Sequence, residues 1–237
     1  MDFASRSRAE ELMDDPNLDK KSLEKAYVDI NRCNTLLGGT ALTIHAIKKI
    51  IKKHPKKSYT IYDMGCGDGH MLRKVAETFK EGDFTLHLTG IDQREDVLNI
   101  AADASHSYEN ISFKKADILH LKESKSCDIL LCTLTMHHFE EKDILKFVKK
   151  FSEITRLAVI INDLERSKLA YRLFQLFSLF FIQTHTAKVD GLISISKGFR
   201  KLELMQFAKS LKDVTHKIQW KWAFRYLWIM EPTKRNN

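Results

Sequence analysis

Three glycines at alternate positions, Gly65, Gly67 and Gly69, lie in "YDMGCGDGH" directly behind the carboxylate of Asp63. Glycine costs conformational entropy, so three this close mark a sharp turn or a ligand pressed against bare backbone. The spacing is G-x-G-x-G. A dinucleotide fingerprint would place the third glycine where His70 stands, and no G-K-[ST] follows for a phosphate-binding loop. Two more acids end apolar runs, Asp92 in "LTGIDQRED" and Asp117 in "FKKADIL". A carboxylate at the end of a second parallel strand can accept hydrogen bonds from both hydroxyls of a ribose, although an acid there is also a common helix cap. Asp63, Asp92 and Asp117 around one glycine turn form a nucleoside-shaped set. Further on, "MHHF" sets His137 and His138 just past another apolar run. An imidazole with a pKa near ~6.5 can act as a base at neutral pH, but such a pair can equally cap a helix or order a loop. Asp163 and Glu165 are secondary candidates with the same capping alternative.

These residues need elements to hold them. Residues 19 to 37 put Leu23, Ala26, Tyr27, Ile30 and Leu37 near one helical face, and after Gly38-Gly39 "ALTIHAIKKIIKK" gives a second amphipathic helix. From Ser58 strands and helices alternate. "YTIYDMG", "FTLHLTGID", "ISFKKADI", "CDILLCTLT" and "LAVIINDL" read as strands; "GHMLRKVAETFK", "REDVLNIAADAS" and "EKDILKFVKKFSEI" read as the helices between them. Such alternation means parallel βαβ units and a doubly wound α/β sheet. Residues 164 to 186 read as an aromatic-rich helical insertion, followed by a helix at "GFRKLELMQFAKSL". In "VTHKIQWKWAFRYLWIM" strict alternation puts Trp220, Trp222, Phe224, Tyr226 and Trp228 on one face of a strand. The expected organisation is an N-terminal helical cap over residues 1–57 and a catalytic domain over 58–237.

Composition fits that plan. The 237 residues, 43% hydrophobic and 30% charged, suit one soluble α/β domain. The net charge of +8 could reflect nucleic acid or an anionic surface, but paired lysines such as Lys48-Lys49 and Lys52-Lys53 also suit an ordinary solvated surface. Cys33, Cys66, Cys127 and Cys132 show no CxxC spacing, so free thiols in a reducing compartment and no metal site are expected. "MDFASRSRAEELMDD" lacks the apolar core of a signal peptide. The apolar "LAYRLFQLFSLFFIQ" is interrupted by Arg172 and Gln175 and is too short to span a bilayer, so a cytoplasmic protein is expected.

With "DMGCGDG", Asp92, "ADIL" and "CDILLCTLTMHHF" in view, residues 58 to 163 resemble the class I S-adenosylmethionine-dependent methyltransferases. The resemblance implies a Rossmann-like, mostly parallel seven-stranded sheet whose last two strands are the aromatic terminal hairpin, the final one inserted antiparallel. It implies S-adenosylmethionine as cofactor. The backbone around Gly65, Cys66 and Gly67 would contact its methionine part. Asp92 would hold the ribose, Gln93 would lie against the adenine, and Asp117 with the Ile118 amide would read the adenine edge. Thr133 would sit near the sulfonium. "NTLLGG", "IINDLERSKLAYRLF" and "VDGLISISKGFRKLEL" resemble, more narrowly, small-molecule methyltransferases of quinone and aromatic polyketide biosynthesis.

The acceptor is argued from what surrounds that site. Thr133-Leu134-Thr135-Met136 lacks the prolines of enzymes acting on base amines or glutamine amides, and Cys132 lacks the context of an RNA cytosine nucleophile and should face the core. No nucleic-acid partner is expected. Phe174, Phe177, Phe180 and Phe181 in the insertion fit an apolar lid over a hydrophobic acceptor, ordinary core packing, or peripheral contact with a membrane near Lys168, Arg172 and Lys188. The expected reaction is methyl transfer to an oxygen of a small lipophilic or aromatic metabolite, with His138 or His137 as base. The alternative is an RNA or protein methyltransferase.

Overall fold

The computed structural model describes residues 3–121 and 127–233. The apolar runs form seven strands in the order β3-β2-β1-β4-β5-β7-β6. β1 (Ser58–Met64), β2 (Thr85–Asp92), β3 (Ile111–Lys115), β4 (Cys127–Thr133) and β5 (Thr155–Leu164) pair in parallel. β7 (Arg225–Pro232) runs antiparallel between β5 and β6 (Val214–Lys221). The class I methyltransferase architecture expected from the sequence is present. Strand order reverses between β1 and β4, where diverging connections open a crevice at the C-terminal strand ends.

Helices cover both faces. On one, α2 (Gly39–Lys53) and α3 (His70–Thr78) press Ile47, Ile50, Leu72 and Val75 onto Tyr59, Ile61 and Ile129. On the other, α5 (Glu141–Ile154) and α8 (Lys201–Lys209) bring Phe147, Phe151 and Leu204 against Leu130, Val159 and Trp228. Each such side chain stabilises the fold by about 1.5–3 kcal/mol relative to exposure. α1 (Lys20–Leu36), capped by Asp19 accepting from Ser22 N–H at 3.0 Å, rests Leu23 and Ala26 on Val97 and Ile100 of α4 (Glu95–Ala104).

Three expectations need correction. The aromatic run is not the one strand that its alternation suggests but the hairpin that the resemblance implies: the chain reverses between Lys221 and Arg225, so Trp220 of β6 faces Tyr226 of β7. The turn Trp222-Ala223-Phe224 contains no Gly, Pro, Asn or Asp to announce it, and alternation carries on unbroken across paired strands. β3 ends at Lys115, which leaves Asp117 past the strand as the cap of a short 3-10 turn. The insertion expected at 164 to 186 extends to Lys197 as two helices, α6 (Lys168–Phe181) and α7 (His185–Lys197). "VDGLISIS" hides α7 behind glycine and β-branched residues of poor helix propensity. Packing reverses that preference. Gly191 lets α7 approach so closely that a Cβ there would lie 2.2 Å from the Phe174 ring. Asp29, buried in α1, ties the turn between them down by accepting from Gln183 N–H at 2.9 Å and Thr184 N–H at 2.7 Å.

Candidate active site

The glycine loop leaves β1 with Gly65, Gly67 and Gly69 all at positive φ. At Gly65 a Cβ would strike Thr135 at 2.3 Å, and at Gly67 the Tyr27 ring at 2.9 Å, so neither position admits a side chain without displacement. The Gly67 N–H donates to Asp92 Oδ2 at 3.2 Å and the Arg94 N–H to Asp92 Oδ1 at 3.1 Å. A carboxylate offers about four acceptor sites, so Asp92 keeps capacity for two hydroxyls. Asp68 accepts from Asn31 Nδ2 at 2.9 Å and pairs with Arg73 at 3.0 Å.

Asp63 differs from both. It is buried and its Oδ1 has no hydrogen-bond partner. Burial, then the charges of Asp92 and Asp68, push its carboxyl up to about 8. Burial, then Asp92 and Asp68, likewise drive the Tyr27 hydroxyl well above its ordinary value. An orphaned acid among other acids fits a cationic ligand, and the bare loop fits a ligand lying on backbone. S-adenosylmethionine carries an ammonium, a sulfonium and a ribose, so these residues fit it.

One cavity of about 2170 Å3 takes in both this acidic end and a second, apolar one. Single ligand pockets usually hold roughly 300–1,000 Å3, so this space accommodates two molecules together. Of the residues singled out from sequence, Asp63, Gly65, Cys66, Gly67, Asp92, Gln93, Asp117, Ile118, Thr133, His137 and His138 line it. Gly69 is not among the lining residues. It starts α3 in the left-handed conformation, and a Cβ there would meet Phe113 at 2.8 Å, so its role is in the turn. Asp117 accepts from the Leu119 N–H at 2.8 Å and touches His120 Nδ1 at 2.7 Å. Thr133 Oγ1 is buried without a partner, and the next residue, Leu134, holds φ 55, a strained value for a branched side chain.

The apolar end is built by Leu164 of β5, Leu173, Phe174 and Phe177 of α6, and Trp222 and Phe224 of the hairpin. His137 sits there fully enclosed, its Nδ1 2.7 Å from Asp163 Oδ1 and its Nε2 3.6 Å from Glu11 Oε1. Burial opposes the imidazolium, but the charge and hydrogen bond of Asp163, with help from Glu11, push it up to about 9. The two carboxylates thus favour the charged form of His137, which opposes the role of free base expected from sequence. Asp163 is a partner of that imidazole as well as the last acid of β5. Glu165 accepts from Trp220 Nε1 at 2.8 Å and Tyr226 Oη at 3.2 Å, so it braces the hairpin. His138 lies at the rim, facing Glu11 Oε2 at 3.7 Å and Asp14 Oδ2 at 3.5 Å. Glu11, His137 and His138 could chelate a metal ion, their ligand atoms lying within 4.8 Å of one another. Lys197 Nζ, 3.3 Å from Glu11, already supplies the balancing positive charge.

Several lining residues escaped the sequence reading. Tyr27, Asn31 and Asn34 fall one turn apart along α1, but Tyr27 stood out only as an apolar contact and Asn34 only as the start of "NTLLGG". Glu11 belongs to a polar N-terminal stretch with no motif. Arg225 had a visible signal, a lone charge inside the aromatic "WAFRYLWIM".

Residues 55–227 match the methyltransferase domain family model. Among solved structures, the plantazolicin methyltransferase BamL, in complex with a triazolic desmethylPZN analog and SAH, superposes with a TM-score of 0.69 at 15% identity over 90% of this chain and 91% of that one. Magnesium protoporphyrin IX methyltransferase from Synechocystis, with bound SAH, gives 0.57 at 11% identity over 82% and 84%. At these identities the likeness is one of fold. A curated relative, (S)-tetrahydroprotoberberine N-methyltransferase of Eschscholzia californica, is 29% identical over 99 residues, 41% of this chain. The match spans 27% of that relative's length.

Proposed function

The chain belongs to the methyltransferase domain family, and from that premise we propose that it transfers the methyl group of S-adenosylmethionine to an oxygen of a small lipophilic or aromatic acceptor. The carrying observation is the continuity of the cavity, whose acidic, glycine-lined end runs into one walled by Leu173, Phe174 and Phe177. When bound, S-adenosylmethionine supplies a methyl group on a cationic sulfur that is already a good leaving group. The chain's task is alignment and the exclusion of water. In this reading Asp92 accepts the ribose hydroxyls, Asp63 pairs with the ammonium, and the Gly65–Gly67 backbone lets the ligand lie close. Asp117, Ile118 and Gln93 border the adenine, and Thr133 ends β4 at the junction of the two ends.

An acceptor hydroxyl must lose its proton as the bond to carbon forms. His137, pushed toward its charged form by Asp163 and Glu11, can stabilise a developing oxyanion, and His138 is the imidazole placed to take the proton. That pair favours oxygen here, whereas the curated relative is named for nitrogen. No helix among the described residues is long and apolar enough to cross a membrane. The outer face of α6, with Leu176, Leu179 and Phe180 exposed near Lys168 and Arg172, supports peripheral contact with a membrane that could deliver a lipophilic acceptor.

Incubation with methyl-labelled S-adenosylmethionine and separated lipid, RNA and protein fractions tests the reading. Label should appear in material of low molecular mass extracted by organic solvent. Label confined to RNA or protein would overturn it.

A further inference from the structure

Buried arginines in this protein are normally satisfied. Arg166 is 3% exposed and spends its guanidinium on Glu203 at 3.1 Å, the Gly198 carbonyl at 2.6 Å and the Phe3 carbonyl at 3.1 Å. Arg73, only partly buried, pairs with Asp68 at 3.0 Å. Arg225, also 3% exposed, is the exception. Its Nε and Nη1 are buried with no hydrogen-bond partner, and no carboxylate among the described residues lies within ion-pair distance of it. Its surroundings hold the neutral amide oxygen of Asn34 but no counter-charge. The guanidinium carbon sits 2.8 Å from where a Cβ on Gly39 would stand, in the first turn of α2. The cap of that helix is Gly38, which has no side chain to satisfy the free N–H groups there. Asp163 and the Cys33 thiol are the groups of opposite tendency that act on it, and burial outweighs them, lowering its pKa. A buried cation without a counter-charge is strongly disfavoured unless a ligand provides one.

Arg225 lines the cavity together with Asn34, Leu164 and Phe224. β4 and β5 separate β7 from the glycine loop on β1, three strand spacings or roughly 14 Å. That distance sets the Arg225 backbone on the side of the apolar walls, and its side chain reaches Gly39 and Asn34 where α1 meets α2.

We propose that Arg225 is the anion-recognition residue of the apolar end of the cavity, and that the methyl acceptor is a lipophilic or aromatic compound bearing a single carboxylate. A planar guanidinium fork matches a carboxylate's two oxygens. A doubly charged phosphate would meet Glu11 and Asp163 with only one unpaired cation to balance it. The word acceptor rests on the methyl-transfer reading; the anion site does not.

The test uses benzoate and benzyl alcohol as probes, titrated calorimetrically into the full chain with and without S-adenosylhomocysteine. Benzoate should bind about tenfold or more tightly than the alcohol. Arg225→Met should erase that preference, leave S-adenosylhomocysteine affinity unchanged, and raise the Tm of the ligand-free protein, since an apolar side chain then fills the place of an unpaired charge. Equal binding of the two probes by the wild-type chain would overturn the proposal whatever the variant does. So would a variant that melts lower or fails to fold, which would mark the arginine as a structural charge. Weakened S-adenosylhomocysteine binding in Arg225→Met, with 5′-methylthioadenosine unaffected, would assign the guanidinium to the amino-acid carboxylate of the cofactor instead. If S-adenosylhomocysteine does not bind the wild-type chain, the methyl-transfer reading fails, and the benzoate preference still judges Arg225.

Discussion

Asp63 and Asp92 end the neighbouring strands β1 and β2 and do different work. In the unfolded chain the Asp63 carboxyl ionises near its ordinary value, and in the fold only at about 8. Folding therefore takes up a proton between those values, and stability falls as pH rises across that window. Asp63→Asn should remove the effect: the ligand-free variant should melt higher than wild type near pH 8, and the gap should close near pH 4, where both side chains are neutral. Melting curves that stay parallel over that range would show that Asp63 is not the raised group. The same variant should bind S-adenosylmethionine more weakly, because an amide cannot ionise against the ammonium as the carboxyl can. Asp92 already holds the Gly67 and Arg94 amides, so Asp92→Ala should weaken cofactor binding by roughly 2–4 kcal/mol, as for lost charge-assisted hydrogen bonds. Calorimetry giving unchanged affinity would remove Asp92 from the site.

At the scale of elements, α6 presents two apolar faces. Leu169, Leu176, Leu179 and Phe180 are exposed, whereas Phe174 and Phe177 face the cavity and stack on neighbouring rings, Phe177 at 4.6 Å from Phe181. α7 holds that inner face in place through Gly191 against Phe174. Phe177→Ala should therefore raise the acceptor KM several-fold while leaving S-adenosylmethionine affinity nearly intact, because only the apolar end loses a wall. A fall in kcat alone, or a matching loss of cofactor affinity, would place Phe177 outside the acceptor pocket.

Across the whole molecule, the N-terminal residues act as a strap over the cavity mouth. Phe3 is buried beside Ala170 and Ile195, Arg6 donates to the Lys197 and His137 carbonyls at 2.8 and 2.7 Å, and Leu12 and Met13 donate their N–H groups to Asp190 at 2.7 and 2.9 Å. Arg94, beside the cofactor end, reaches the Met13 carbonyl. Glu11 closes the strap onto both histidines, and its carboxyl, despite burial, is held down to about 2 by His137, His138 and Lys197. The strap spans both ends of the cavity but adds no strand to the sheet. Removing residues 3–15 should leave a folded protein by circular dichroism and speed release of S-adenosylhomocysteine by about tenfold or more in stopped-flow measurements. An unchanged release rate would mean that ligands pass elsewhere.

The alternation of apolar runs with amphipathic helices determined the parallel sheet, since side-chain period is a local property of the chain. The same local logic located the glycine turn, Asp63 and Asp92, because a bare backbone and a strand-end acid carry their meaning in neighbouring residues. The strict alternation of the last aromatic run by itself suggested one strand, since period alone does not reveal a turn built from Trp222, Ala223 and Phe224, and only the family resemblance made it a hairpin. Only the tertiary structure decided that His137 is pushed toward its charged form, because Asp163 and Glu11 reach it from 26 and 126 residues away along the chain. It likewise decided that Arg225 stands unpaired. Counter-charges come from whichever segments the fold brings within a few ångströms, and no spacing in the sequence encodes that proximity.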